Sequence, residues 1–420
     1  MLIYLDNDLK NYLNNQKIDS LDLLALERIA ESFRDEHHFI TGNPRTLDFI
    51  REIEVLSPLA KDVFTQCFHN SFSHSGYTSK IHSKIIVKAS TEPFTRVSNE
   101  TSINKGPFTY VYDIFNCPLS LFASQETLQK TRFVSEHISD VRFYEILAND
   151  FKTDTPVLFK FERVHGGGND TFDLMEEHIL NKHLVLTIVD SDQKTPSSSL
   201  GTTATNVIDT FKKYKESSIS EIETLKFHEK ENLFSPSVYK IIGHNVNDET
   251  LDKLEKISEI DTVHGNFLRY FDFKEGLSFR NFHTDFDYIL EIDGILNSIP
   301  SSSTHFHGTK EQFYIELNNY KSLSNSQRKS NNKIIIDKIS NNPLGDFHKN
   351  LPDKLESLRE IEIRLSTLHD ARTAEHLNIV KGKLSTLDNM IANLLIFQQF
   401  YIEVLAIKIR EWGMYRPVAY

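Results

Sequence analysis

The sequence predicts an α/β fold with a parallel sheet in the middle of the chain. Between about residues 126 and 245, strand-like and helix-like patterns alternate regularly. Within this region, residues 184–189 (LVLTIV) form a continuous apolar run, which is typical of a strand buried on both faces. Residues 1–125 mix short apolar runs with helical patterns, and residues 246–420 are mainly helical. We therefore expect an N-terminal α/β or α+β region, a central parallel-sheet domain and a mainly helical C-terminal domain.

Each element of the central region follows from its local pattern. Short runs rich in β-branched and aromatic residues predict strands, and apolar residues at helical spacing predict helices. The sequence HGGG at 165–168 predicts a tight turn. Strands joined by helices through short connections give right-handed crossovers and a parallel sheet. The predicted strands are 131–135, 157–164 and 184–189, and the predicted helices are 138–148 and 169–180.

Composition and charge exclude several classes of protein. The chain has 420 residues, of which 39% are hydrophobic, and a formal net charge of −12, which is typical of a globular protein and unlike a histone or a basic coat protein. An acidic chain repels polyphosphate on average, so nucleic-acid binding needs a local basic surface or bound cations. Cys67 and Cys117 fit neither a disulfide framework nor a zinc site, which indicates a reduced, cytoplasmic setting.

We expect neither secretion nor membrane anchoring. The N-terminal sequence MLIYLDNDLKNYL lacks the cationic start and the cleavage site of a signal peptide. Polar residues interrupt the most apolar stretch, 391–409, which argues against a membrane span. The C-terminal helical segment 384–412 is apolar nearly all round, so we expect it to be buried either in the core or against a partner, the latter giving a homo-oligomer.

Four acidic residues follow predicted strands of the central region. Glu136 comes directly after the first strand, and Asp140 lies about one helical turn later, so its carboxylate can point back toward Glu136. Asp190 and Asp192 close the run LVLTIV, and residues two apart in an extended segment project to the same side. Because parallel α/β sheets place their sites at the carboxyl edge, we expect the four carboxylates to meet there.

A compact group of carboxylates predicts a divalent cation. Unpaired carboxylates repel one another and are tolerated together only when protons or cations neutralise them. Oxygen-only ligands select Mg²⁺, Mn²⁺ or Ca²⁺ rather than zinc. Magnesium held by carboxylates is the usual apparatus for phosphoryl transfer, so the pattern indicates a reaction at a phosphodiester.

The order of these motifs resembles the Toprim domain of topoisomerases, DnaG-type primases and the nucleases of the OLD (overcoming lysogenization defect) family. FVSEHISDVRFYEIL is similar to the Toprim opening, VHGGGND to its middle turn and LTIVDSD to its closing Asp-x-Asp. The chain shows no primase-type zinc ribbon and no identifiable topoisomerase tyrosine, which leaves the nuclease branch. The resemblance implies a Mg²⁺- or Mn²⁺-dependent endonuclease in which Glu136, Asp140, Asp190 and Asp192 are catalytic and bind metal.

Two further segments resemble the defence-associated relatives of these nucleases. KFHEKENLFSP, at 226–236, is similar to their Glu-x-Glu-Asn stretch and implies that Glu229 and Glu231 are additional metal ligands. Lys274, in FDFKEGLSF, resembles a basic catalytic residue near the transferred phosphate. The resemblance also implies a role in bacterial anti-phage defence, with DNA or RNA as substrate. The chain has no Walker motif, so control by nucleotide hydrolysis requires a separate ATPase partner.

The same residues have alternative interpretations. Acidic residues after apolar runs also serve as turn residues or helix caps, and Glu229 and Glu231 can be surface charges. His137 stands where the Toprim family usually has glycine, which puts the local backbone geometry in question. The alternative function is a non-catalytic Toprim-like scaffold or sensor that binds a partner protein or nucleic acid.

Overall fold

A computed structural model defines the fold of two compact units. The first comprises Met1–Val189, Thr205–Glu223 and Phe400–Tyr420, and the second comprises Asp190–Ala204 and Thr224–Gln399. The first unit thus contains both the N-terminal region and most of the predicted sheet domain. The structure describes residues 1–15, 18–102, 108–150, 157–234, 236, 251–252, 254–255, 266–282, 310–336, 359–368, 371–392 and 396–417.

The N-terminal part of the first unit is an α/β structure around a five-stranded sheet. The strand order is β2-β1-β3-β5-β4, in which β1 pairs with β2 and β3 in parallel, β3 pairs with β5 in parallel, and β4 and β5 form an antiparallel pair. The N-terminal region, which the sequence left open between α/β and α+β, is therefore mainly parallel. Its elements are β1 (Leu2–Leu5), α1 (Asn7–Asn15), α2 (Ser20–Arg34), β2 (Phe39–Gly42), α3 (Pro44–Arg51), α4 (Pro58–Thr78), β3 (Lys84–Lys88), β4 (Thr95–Ser102) and β5 (Thr109–Pro118).

The predicted central sheet is present as a four-stranded sheet of order β10-β9-β6-β8. Strand β6 pairs in parallel with both β8 and β9, and every residue of β9 is buried, as the apolar run predicts. Helices follow β6 and β8, which confirms the predicted alternation, and a further helix follows β9. The elements are β6 (Arg132–Ser135), α5 (Ile138–Asp150), β7 (Val157–Phe159), β8 (Glu162–His165), α6 (Thr171–Leu180), β9 (Val185–Val189), α7 (Thr202–Tyr214) and β10 (Ser220–Thr224).

The single strand predicted at 157–164 is wrong in detail. The structure divides it into β7, which pairs antiparallel with a C-terminal strand β13 (Met414–Pro417), and β8, which joins the central sheet. The division follows from two different surroundings: Val157 packs in a small core with Leu2, Phe39 and Met414, whereas the Phe161 ring contacts Phe133. A local apolar pattern carries no information about which sheet a residue joins.

The remaining elements are mainly helical, as expected for the C-terminal region. They are α8 (Asn266–Tyr270), β11 (Leu277–Ser278), α9 (Phe279–Phe282), α10 (Lys310–Ser322), α11 (Asn325–Ser330), β12 (Ile334–Ile336), α12 (Ala371–Ala392) and α13 (Ile396–Gly413). From Phe400 onward α13 belongs to the first unit, where Tyr401, Leu405 and Trp412 are at most 1% exposed. This half of the helix is thus buried in its own unit, in line with the core interpretation of its all-round apolar pattern.

Both cysteines of the chain belong to the first unit. Cys67 and Cys117 are free and buried, and burial raises the pKa of the Cys67 thiol to about 12. Among the described helices, none combines the length and the apolar character that a membrane crossing requires.

Candidate functional site

The carboxyl ends of β6 and β9 lie at the same edge of the central sheet. The two strands are parallel neighbours, with Val134 opposite Thr187 in the register. Glu136 follows β6 directly and Asp190 follows β9 directly in the chain. Glu136 and Asp190 therefore come directly after the carboxyl ends of neighbouring parallel strands, the chain positions that carry functional residues in α/β folds.

In the first unit, Asp140 turns back toward the end of β6. Its Oδ2 accepts a hydrogen bond of 3.0 Å from the backbone N–H of His137, the residue after Glu136. Asp140 is 4% exposed and is the third residue of α5, so this bond satisfies a backbone donor at the start of the helix. The predicted orientation of Asp140 is present, and the same bond gives the residue a capping role.

His137 does not need the glycine that the Toprim pattern has at this position. Among the non-glycine residues that the structure describes, only Glu36, Lys182 and Asp192 have positive φ angles. His137 thus has an ordinary backbone conformation, and its ring stacks on that of His165 at a centroid distance of 5.4 Å. The departure from the family pattern carries no conformational penalty.

The HGGG sequence forms the predicted tight turn. Gly167 and Gly168 have φ angles of 74° and 69°. Gly166 donates a 2.7 Å hydrogen bond to the Ser135 carbonyl, and a Cβ on Gly166 would lie 2.6 Å from that oxygen. The Gly168 N–H donates to the Glu136 carbonyl at 3.2 Å, so the turn packs directly on the end of β6.

In the second unit, the Asp-x-Asp loop is joined to the segment that carries Glu229 and Glu231. Asp190 Oδ1 accepts from the Lys230 N–H at 3.1 Å, and the Asp192 N–H donates to the His228 carbonyl at 2.9 Å. Two motifs about 40 residues apart in sequence are therefore neighbours in the fold.

Glu229, Glu231 and Lys274 form one ionic group. Lys274 Nζ lies 2.9 Å from Glu229 Oε2 and 3.7 Å from Glu231 Oε1. The Glu229 side chain is 13% exposed and that of Glu231 is 1% exposed, so the surface-charge interpretation is wrong for both. Burial, followed by the charge of Glu231, raises the pKa of Glu229, and the Lys274 charge only partly opposes this.

The ligand chemistry of this group suits a hard cation. Carboxylate oxygens are the usual ligands of Mg²⁺ and Mn²⁺. Across the described ranges, no three or more His, Cys, Asp or Glu side chains are arranged closely enough to hold a metal ion. A cation between Glu229 and Glu231 has to displace the Lys274 ammonium, which occupies that position.

Three residues beside this ionic group were not predicted from the sequence: Lys194, His228 and Asp272. Asp272 Oδ2 lies 3.0 Å from Lys194 Nζ and 3.4 Å from His228 Nε2. Asp272 and His228 are buried, and Lys194 is partly exposed. Lys194 stands two residues after the Asp-x-Asp motif and Asp272 stands two residues before Lys274, and this proximity in sequence is the only signal that could have identified them.

Asp192 is held in an unusual conformation beside a glycine. Its φ angle is 55°, in the left-handed region that aspartate tolerates better than most residues. A Cβ on Gly201 would overlap Asp192 Oδ2 and would lie 2.8 Å from Asp192 Cβ. Glycine is therefore required at 201 because the Asp192 side chain fills the space.

We expect Gly201→Ala to displace Asp192 and to lower the free energy of unfolding by about 1–3 kcal/mol, the usual cost of forcing extra volume into a packed site. Urea denaturation measures this change. The matched control is Gly382→Ala in α12, where an added Cβ meets nothing within 4 Å. There the loss of glycine from a helix interior is expected to stabilise the protein by up to about 1 kcal/mol. If both variants changed the free energy of unfolding by the same amount, Asp192 would not pack against Gly201 as the structure shows.

Comparisons with known proteins identify no relative of this chain. No protein-family model matches it, and neither a curated protein nor a solved structure is significantly similar to it.

Proposed function

We propose that the protein is a metal-dependent nuclease that cleaves phosphodiester bonds of nucleic acid with Mg²⁺ or Mn²⁺. One observation carries this proposal: within the second unit, Asp190, Glu229 and Lys274, from three separate chain segments, belong to one connected set of polar contacts. Their residue types were predicted from a nuclease pattern without knowledge of the fold. Convergence of such distant segments is not expected if each were an unrelated surface charge.

The Toprim resemblance also assigns a role to two acidic residues of the first unit. Glu136 and Asp140 follow β6, the parallel neighbour of the strand that leads to Asp190. The resemblance assigns metal binding to Asp140, Asp190, Asp192, Glu229 and Glu231, and it gives Glu136 a role as metal ligand or as acid or base near the reacting oxygen.

A magnesium ion held by these carboxylates would polarise the phosphate and make the attacking water more acidic. The chain's own groups bind and orient the substrate. The Lys274 side chain is 45% exposed. Its ammonium group can therefore leave the two glutamates and bind a phosphate oxygen of the substrate. The acidic overall charge makes such local cations necessary for nucleic-acid binding.

The direct test is cleavage of double-stranded DNA, single-stranded DNA and structured RNA by the purified chain, with Mg²⁺, with Mn²⁺ and with EDTA. We expect cleavage of at least one substrate with either cation and none with EDTA. Metal binding is tested separately, because Mg²⁺ should raise the melting temperature and Asp190→Asn should remove that rise. Absence of cleavage and of a cation-dependent shift would contradict the proposal.

A second candidate is a non-catalytic scaffold or sensor that binds a partner protein or nucleic acid. One observation favours it: Lys274 is already paired with Glu229 and Glu231, as expected for a structural ion-pair group. A protein whose melting temperature is indifferent to Mg²⁺ and Mn²⁺ would support this candidate over the nuclease.

The biological setting that we propose is bacterial anti-phage defence. It rests on the resemblance of the Toprim-like motifs to those of defence-associated nucleases. In that setting a separate ATPase controls the nuclease, and co-expression of the two proteins should protect cells against phage only when Glu136 and Asp190 are intact.

A further inference from the structure

Asp272 closes the turn that carries Lys274. Its Oδ1 accepts hydrogen bonds from the backbone N–H of Lys274 at 2.9 Å and of Glu275 at 2.7 Å. The Asp272 carbonyl accepts a third, from Gly276 at 2.8 Å, and Gly276 has a φ angle of 77°. These bonds fix the backbone from which the Lys274 side chain extends.

The other oxygen of the same carboxylate holds Lys194. Lys194 Nζ lies 3.0 Å from Asp272 Oδ2 and 2.7 Å from Glu275 Oε2. His228 Nε2 also approaches Asp272 Oδ2, at 3.4 Å. One buried side chain therefore connects the loop after β9, the segment that carries Glu229 and the turn of Lys274.

The charge state of Asp272 suits this role. Burial raises the pKa of its carboxyl, but the close contact with His228, the backbone hydrogen bond from Glu275 and the charges of His228 and Lys194 outweigh burial and hold the pKa below its usual range. Asp272 is 5% exposed and ionised, so it acts as a fixed anionic anchor for the cations around it.

The two lysines anchored at Asp272 both reach solvent. The Lys194 side chain is 35% exposed and that of Lys274 is 45% exposed, whereas the nearby Lys230 side chain is 7% exposed. Lys194 and Lys274 thus differ from Lys230 in being able to meet a ligand outside the protein. A phosphate oxygen is the ligand that a solvent-reaching ammonium on a flexible stem suits best.

We infer that Lys194 is a second phosphate-binding lysine of the proposed site and that Asp272 is the residue that positions it beside Lys274. The inference rests on the proposed function for its ligand, the sugar–phosphate backbone of nucleic acid. The inference is tested by the binding of nucleic acid and not by its cleavage. The lysine contact and the nuclease function can therefore be rejected independently.

The test is the salt dependence of binding to a short labelled single-stranded DNA, and to RNA of the same sequence, measured by fluorescence anisotropy in EDTA. Each phosphate contact contributes about 0.7 to the slope of log K against log salt for a single strand. Lys194→Met should reduce the slope by about that amount and weaken binding severalfold at low salt. Lys194→Arg should keep the wild-type slope, because the charge is retained.

Asp272→Asn tests the positioning role. It should reduce the slope as Lys194→Met does, and the double variant should show no further reduction, because both changes remove the same contact. Lys212→Met is the control, since Lys212 is a 68% exposed lysine on α7 in the first unit. Circular dichroism and melting curves confirm that each variant is folded, and Lys194→Met carries the test if Asp272→Asn does not fold.

The results separate the two proposals. The inference would be overturned if folded Lys194→Met kept the wild-type slope of log K against log salt. It would also be overturned if the slope reductions of the two single variants added up in the double variant, or if the protein did not bind the nucleic acid at all. A reduced slope in a protein that cleaves neither DNA nor RNA would support the lysine contact and reject the nuclease.

Discussion

Replacing Lys408 by methionine is expected to lower the free energy of unfolding by about 3–5 kcal/mol, because it leaves two buried carboxylates without their cation. Lys408 Nζ lies 2.6 Å from Glu221 Oε1 and 2.8 Å from Glu223 Oε2, and all three side chains are at most 12% exposed. Trp412 Nε1 donates to Glu221 and the Tyr401 hydroxyl donates to Glu223, each at 2.8 Å. The group ties α13 to β10 inside the first unit.

Urea denaturation of Lys408→Met beside the wild type measures this effect. In the triple variant Lys408→Met, Glu221→Gln, Glu223→Gln most of the lost stability should return, since this group then carries no charge. Lys212→Met, on the surface, should change stability by less than about 0.5 kcal/mol. A loss below about 1 kcal/mol in Lys408→Met would show that this lysine does not neutralise the pair.

The pH dependence of the same variant gives a second readout. Burial raises the pKa of Glu221, and Lys408 is the largest influence that lowers it. Without Lys408 the folded-state pKa rises further above the unfolded value, so the folded state binds the proton more tightly. The stability deficit of Lys408→Met should therefore shrink as the pH falls toward 4.5, the ordinary value for a glutamate.

Glu136→Gln is expected to lower the cleavage rate by about 10²–10⁴-fold if Glu136 transfers a proton or supports the reacting oxygen. The substitution preserves the shape of the side chain and removes its charge. Glu136 follows β6, and its carbonyl accepts from the Gly168 N–H through a backbone bond that the substitution leaves intact. Loss of activity would then reflect the carboxylate and not the packing of the turn.

The matched control is Glu162→Gln. Glu162 is the first residue of β8 and lies opposite Arg132, so it occupies the other end of the same sheet, with a 52% exposed side chain. We expect wild-type cleavage and stability from this variant. Equal cleavage by Glu136→Gln and the wild type would reject Glu136 as a catalytic residue while leaving the metal-binding test with Asp190→Asn unaffected.

Local patterns in the sequence were sufficient to predict the central parallel sheet. The apolar run before Asp190 has no polar face, and only a strand covered on both sides can bury all of it. The three glycines after His165 likewise predicted a turn, because Gly167 and Gly168 take conformations that other residues adopt with strain. The division of 157–164 between two sheets was not predictable, since it depends on β13, more than 200 residues away.

The candidate site shows the same division between local and long-range information. The sequence alone predicted an α/β fold with carboxylates after its apolar strands. It also showed an acidic chain, which needs local cations to bind a phosphate backbone. The tertiary structure alone decided that Asp272 joins Lys194 to the turn of Lys274, that Lys274 lies between Glu229 and Glu231, and that Glu229 and Glu231 are buried. The physical reason is that a strand or a helix is selected by neighbours a few residues apart, whereas the charge and burial of a side chain are set by groups that only folding brings near.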